Sequence, residues 1–169
     1  MFKRNSIHTA AASCAAICLF LAGSAVAAPY GWRQVTPTGA GFTAAMPGAP
    51  AFSSQNVPTR LGTIVMQTVM YETSSEAYAV MYGDYGVRLD PASVLENVRN
   101  GEVGSGRLLA ETDISLNGYP GKRIVAMVKG KVLVSEFFLA GTRLYQVMYL
   151  GDSASPNAIA FLDSFRFTY

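Results

Sequence analysis

Histidine and cysteine are nearly missing from this chain, and their positions matter more than their number. The 169 residues hold one histidine, His8, and two cysteines, Cys14 and Cys18. All three stand in an N-terminal segment with the order of a secretory leader. Lys3 and Arg4 supply the positive charge, residues 9–22 are apolar and uncharged, and Gly23 to Ala28 are small. Ala25 and Ala27 form an A-x-A pattern, so cleavage is expected after Ala27. The apolar stretch is long enough to span a membrane, but it is mostly Ala, Ser and Gly and ends in a cleavage pattern. A lipid anchor fits poorly: Ile17 is too large to precede a modified Cys18, and Cys14 follows too short an apolar run.

Removing 27 of 169 residues leaves 142 without thiol or imidazole. That excludes a disulfide, a cysteine nucleophile and any Ser-His or Cys-His pair. Zinc, copper and haem sites normally need imidazole or thiolate, so no metal or cofactor is expected. Met66, Met70 and Met81 are thioethers that could hold Cu(I), although thioethers more often fill a core. The basic excess also goes with the leader. Thirteen Lys and Arg against 11 Asp and Glu become 11 against 11 once Lys3 and Arg4 are gone. A neutral domain gives no reason to expect nucleic acid or an anionic membrane as partner. Carboxylate-only chemistry survives, namely a paired-acid glycosidase or an oxygen-ligand cation site.

The remaining chain, 28–169, reads as one domain. Residues 32–35 and 42–46 are short strands, and the three prolines of 47–60 suggest an irregular connection. Residues 61–72 and 76–85 are strand-like. Asp90-Pro91 opens a helix with Val94, Leu95 and Val98 as its buried stripe, closed by Gly101 or Gly104. Ser155-Pro156 opens a second, with Ile159, Leu162 and Phe165 on one side. Residues 107–150 are mostly strand, turning at Asn117-Gly118, Lys129-Gly130-Lys131 and Gly141-Thr142. Tight hairpins would put Lys122, Ile124, Val134, Glu136, Phe138, Arg143, Tyr145 and Tyr149 on one face. Arg123, Val125, Leu133, Phe137, Leu144 and Met148 would then take the other. Both faces are mainly apolar, so both need cover. The expected fold is α+β, an α/β/α sandwich with a mostly antiparallel central sheet and helices on each side.

Four phrases carry a resemblance. They are Gly41-Phe42 through Met46-Pro47-Gly48-Ala49-Pro50, then Leu116-Asn117-Gly118-Tyr119-Pro120-Gly121-Lys122-Arg123. Phe138-Leu139-Ala140-Gly141-Thr142-Arg143-Leu144-Tyr145-Gln146 and Phe161-Leu162-Asp163-Ser164-Phe165 complete the set. Over residues 32–169 the chain resembles small secreted bacterial domains of the PsbP-like (DcrB-like) superfamily. The resemblance implies an α/β/α sandwich with a binding or accessory role, and brings no catalytic residue.

The expected function is therefore a non-catalytic accessory or binding domain of the bacterial envelope, periplasmic or secreted. Its partner would be an envelope protein or a small ligand. Lys122, Glu136, Phe138, Arg143 and Tyr145 are the candidate ligand-binding residues, as a small polar cleft for an anionic or peptide ligand. Two other readings stay open. One is a carboxylate-dependent hydrolase of envelope glycans, with Glu72 and Glu76 facing each other across a turn. The other is a carrier of an apolar molecule, with Tyr78, Tyr82 and methionines lining a pocket.

Overall fold

Alternation of apolar side chains along β-branched and aromatic runs produces strands, and among the described residues it produces ten of them in two sheets. The computed structural model describes residues 29–169, and the expected leader lies outside them. A seven-stranded sheet runs in the order β3 (Ala51–Thr59), β4 (Gly62–Glu72), β5 (Glu76–Asp84), β9 (Arg143–Gly151), β8 (Lys131–Ala140), β7 (Tyr119–Val128), β6 (Arg107–Leu116). A smaller sheet joins β1 (Arg33–Val35), β2 (Phe42–Met46) and β10 (Arg166–Phe167). Every pairing is antiparallel.

The two helices cover opposite faces, as the doubly apolar sheet requires. Helix α1 (Pro91–Val103) starts where the Asp90 carboxylate accepts from the Ser93 N–H at 2.8 Å, with proline in the first turn. Gly104 ends it at φ +49. Its Leu95 packs with Ile124, Ala126, Leu133 and Phe137. Helix α2 (Pro156–Leu162) and the small sheet lie on the other face. There Phe42, Phe161, Phe165 and Phe167 meet Tyr78, Phe138, Tyr145 and Tyr149.

Three expectations need correcting. Residues 51–59 form strand β3, not an irregular connection. Pro47 and Pro50 lie before it, and Pro58 sits on an edge strand, where a missing N–H is tolerated. Ile159 is exposed, and the buried side of α2 is Ala158, Phe161 and Leu162. The faces of β7 are also exchanged. Lys129 and Gly130 both adopt positive φ, +50 and +80, so the turn has two residues and Val128 pairs with Lys131. Counting Lys131 into the turn shifts the strand by one residue and moves every side chain of β7 to the wrong side.

Candidate functional site

That turn decides which candidate residues meet. Phe138 pairs with Tyr145 and Ala140 with Arg143, so Glu136, Phe138, Arg143 and Tyr145 share a face as expected. Lys122 pairs with Phe137 and lies on the opposite face. There its ammonium binds Glu111 at 2.5 Å and Asp113 at 2.8 Å, both on β6. Its charge is spent on an edge strand, outside the cleft it was expected to join.

Arg123 takes its place. It pairs directly with Glu136 across β7 and β8. Its Nε donates to Glu136 Oε1 at 2.6 Å, Nη2 contacts the same oxygen, and Nη2 also stands 3.6 Å from Asp163 Oδ1. These groups line a groove of about 380 Å³ with Phe138, Leu162, Phe165 and Arg166. Glu136 is buried, and that burial raises its pKa against the lowering effect of Arg123. Both contacts with Arg123 fall on Oε1. The other oxygen, Oε2, makes no hydrogen bond to the described residues and is not among their buried unpartnered atoms, so it opens to solvent in the groove. Arg166 donates to the carbonyls of Asp163 and Phe165 at 2.6 and 2.7 Å, which fixes the rim where α2 runs into β10. A correct count of the turn would have revealed Arg123 in the sequence. Asp163 carries no pattern signal, because the chain path after α2 places it.

Arg143 and Tyr145 stand elsewhere and hold structure. Arg143 Nη1 donates to the carbonyls of Gly39 and Ala40 at 3.0 and 3.1 Å, and Tyr145 donates to Ala40 O at 2.7 Å. They clamp the segment entering β2 onto β9. Gly41 lies in this clamp at φ +75, and a Cβ there would come within 2.9 Å of the Tyr145 hydroxyl. Asp84 completes the cluster, its pKa lowered first by the Gly86 N–H and then by the Thr142 hydroxyl. The five candidates thus divide among three places, and only Glu136 and Phe138 enter the main groove.

Glu72 and Glu76 line one small cleft beside the β4–β5 turn, and Glu76 is also engaged in holding structure. Glu76 accepts from Tyr78 at 2.7 Å, Tyr149 at 2.9 Å and Ser155 at 3.2 Å, tying β5 and β9 to the start of α2. Tyr78 is enclosed by the rings of Trp32, Tyr71, Tyr149 and Phe161. It belongs to the packed core. A second pair of acids, Glu136 and Asp163, shares the larger groove and is bridged by Arg123.

No family model matches the sequence, and no curated protein matches it. A fold likeness is found in the solution structure of cyanobacterial PsbP (CyanoP) from Synechocystis sp. PCC 6803. It has a TM-score of 0.54 and 10% identity, and covers 86% of this chain and 95% of that one. The fold is PsbP-like.

Proposed function

We propose that this PsbP-like domain is a non-catalytic binding module of the bacterial cell envelope, exported by its leader and loaded at the Glu136 groove. The observation that carries the reading is a largely buried carboxylate with one oxygen held by Arg123 and the other open to the groove, above an apolar floor. A buried acid gains most from a partner that brings a hydrogen-bond donor, and Phe138, Leu162 and Phe165 offer contact to an apolar group. A short segment of an envelope protein, or a small amphipathic molecule, satisfies both. The Arg123 bridge speaks for binding, because a guanidinium standing between two acids fixes a charged, hydrogen-bonding anchor in the groove.

Photo-crosslinking in exporting cells tests this. A benzoylphenylalanine at Ser115, on the groove wall, is expected to give a discrete adduct that a probe at Ser74 does not. Glu136→Gln should reduce its yield about tenfold. No adduct from Ser115, or an adduct indifferent to Glu136→Gln, would sink the proposal.

One observation favours a second reading. Two acids share a groove and one has a raised pKa, as a retaining or inverting glycosidase needs. In that case purified protein releases reducing sugar from envelope glycans, and Glu136→Gln lowers the rate by about a hundredfold or more. If the wild-type chain shows no turnover, this reading is removed.

A further inference from the structure

The opposite face of the sheet carries chemistry independent of the groove. Beyond the part covered by α1, strands β4, β5 and β9 present Met66, Thr68 and Met70, then Ala79, Met81 and Gly83, then Gln146 and Met148 on one side. Met66, Met70, Met81 and Met148 are only partly buried. The first three belong to neither buried cluster, and Met148 borders the one under α1.

The register groups three of these methionines. Ala79 pairs with Met70 on one side and Met148 on the other. Met81 is two residues along from Ala79 on the same face, diagonal to both. Directly opposite positions lie about 5 Å apart and diagonal ones about 7–8 Å, within reach of long side chains. Three flexible thioethers therefore stand around a residue whose side chain is one methyl group. Ala79 is nevertheless only 1% exposed. Met66 is set apart: its sulfur lies over Gly83, 3.4 Å from where a Cβ would be.

A second, independent observation stands at the edge of this triad. Gln146 Nε2 donates to Glu102 Oε1 and lies 3.9 Å from Met148 Sδ. The other oxygen, Glu102 Oε2, is buried without a hydrogen bond among the described residues, as is the hydroxyl of Ser135, which pairs with Met148 across β8 and β9. A buried carboxyl linked through the Gln146 amide to the neutral Met148 sulfur suits a monovalent cation. It balances the single charge and leaves coordination to the thioethers. Soft thioether ligands select Cu(I) over the harder divalent metals. The expectation of no metal rested on missing imidazole and thiolate, which such a site does not use.

We propose that Met70, Met81 and Met148 form a three-thioether site for Cu(I), with Glu102 supplying the compensating negative charge. Ag(I) is the probe, since it shares the coordination preference and is not oxidised in air. It is titrated into the full chain labelled at the methionine methyl groups, with Cys14 and Cys18 alkylated if the leader is still attached. At one equivalent, the methyl resonances of Met70, Met81 and Met148 should shift together while those of Met46 and Met127 stay in place. Leucine conserves the volume of methionine, so Met81→Leu should keep the fold and weaken binding on the order of a hundredfold. Glu102→Gln should weaken it by about tenfold, and Met66→Leu should leave it unchanged. The unmoved Met46 and Met127 signals report the fold of each variant, and Met70→Leu repeats the test if Met81→Leu disturbs them. No shift at one equivalent, a uniform shift of all exposed methionines, or full affinity after loss of a triad sulfur would each overturn the proposal.

Discussion

The two faces of the seven-stranded sheet are built on different terms. The face under α2 and the small sheet is aromatic and closed: Phe165 touches the rings of Phe42, Phe138, Tyr145 and Phe167. Its polar ends are answered as well, since the hydroxyls of Tyr78, Tyr145 and Tyr149 all find acceptors. The face under α1 is aliphatic and thioether-rich, and only part of it is covered. Among the described residues, both buried side-chain atoms without partners, Glu102 Oε2 and Ser135 Oγ, belong to this second face and its helix. One face holds the fold together. The other tolerates unsatisfied groups, which is the condition under which a ligand gains by arriving.

The largest expected effect contrasts these faces directly. Phe165 is 1% exposed, and Phe165→Ala should cost about 3–5 kcal/mol in urea unfolding. Met70, half-buried and flexible, should cost about 1–2 kcal/mol on Met70→Ala, because its surroundings can close over the gap. Equal losses at the two positions would mean that the methionine face is as tightly packed as the aromatic one.

The next effect sets two acids of opposite character against each other. Hydrogen bonds from Tyr78, then from Tyr149 and Ser155, lower the pKa of Glu76 below its ordinary 4.5. Its contribution is therefore complete above pH 4.5 and lost as pH falls through the depressed value. Glu76→Gln should cost roughly 1–2 kcal/mol at pH 7, and the gap from wild type should close on acidification. Glu136 is displaced the other way, by burial first. Its contribution is complete below 4.5 and is eroded as pH rises through the raised value. Wild type and Glu136→Gln should therefore match in acid, with the variant at least as stable at neutral pH. Chemical denaturation at several pH values checks both signs, and the second result also qualifies Glu136→Gln as a probe of the groove.

The sequence exposed this architecture unevenly, and the reasons are local. Helix starts at Asp90-Pro91 and Ser155-Pro156, and apolar residues on both sides of the long strands, were enough for a two-faced antiparallel sheet between helices. Loss of the expected leader would take every cysteine and histidine with it, which narrowed the expected chemistry without reference to shape. Strand β3 was hidden because Pro58 reads as a breaker unless the strand is known to be an edge, and edge position is a property of the whole sheet. The groove was half visible. Glu136 and Phe138 were found, but Arg123 was assigned to the wrong face by one residue of turn length. Asp163 depends on how α2 meets β10, which periodicity does not encode. Met148 joins Met70 and Met81 only through the β5–β9 register.

The smallest effect tests that register, on which both proposed sites depend. Lys122 meets Glu111 and Asp113 on β6, and Asp113 is largely exposed. Solvent weakens such pairs, so a double-mutant cycle between Lys122 and Glu111 should show a coupling of only about 0.5–1 kcal/mol, reduced further by salt. The same cycle between Lys122 and Glu136 should show none, since the two side chains leave opposite faces of the sheet. A Lys122–Glu136 coupling with none to Glu111 would mean that the Lys129–Gly130 turn carries an extra residue. Arg123 would then face α1 and leave Glu136 without its partner. The value lies in the sign and location of a small number: a register shift moves charges by whole faces, so even a few tenths of a kcal/mol, found at one partner and missing at the other, separates the two pairings.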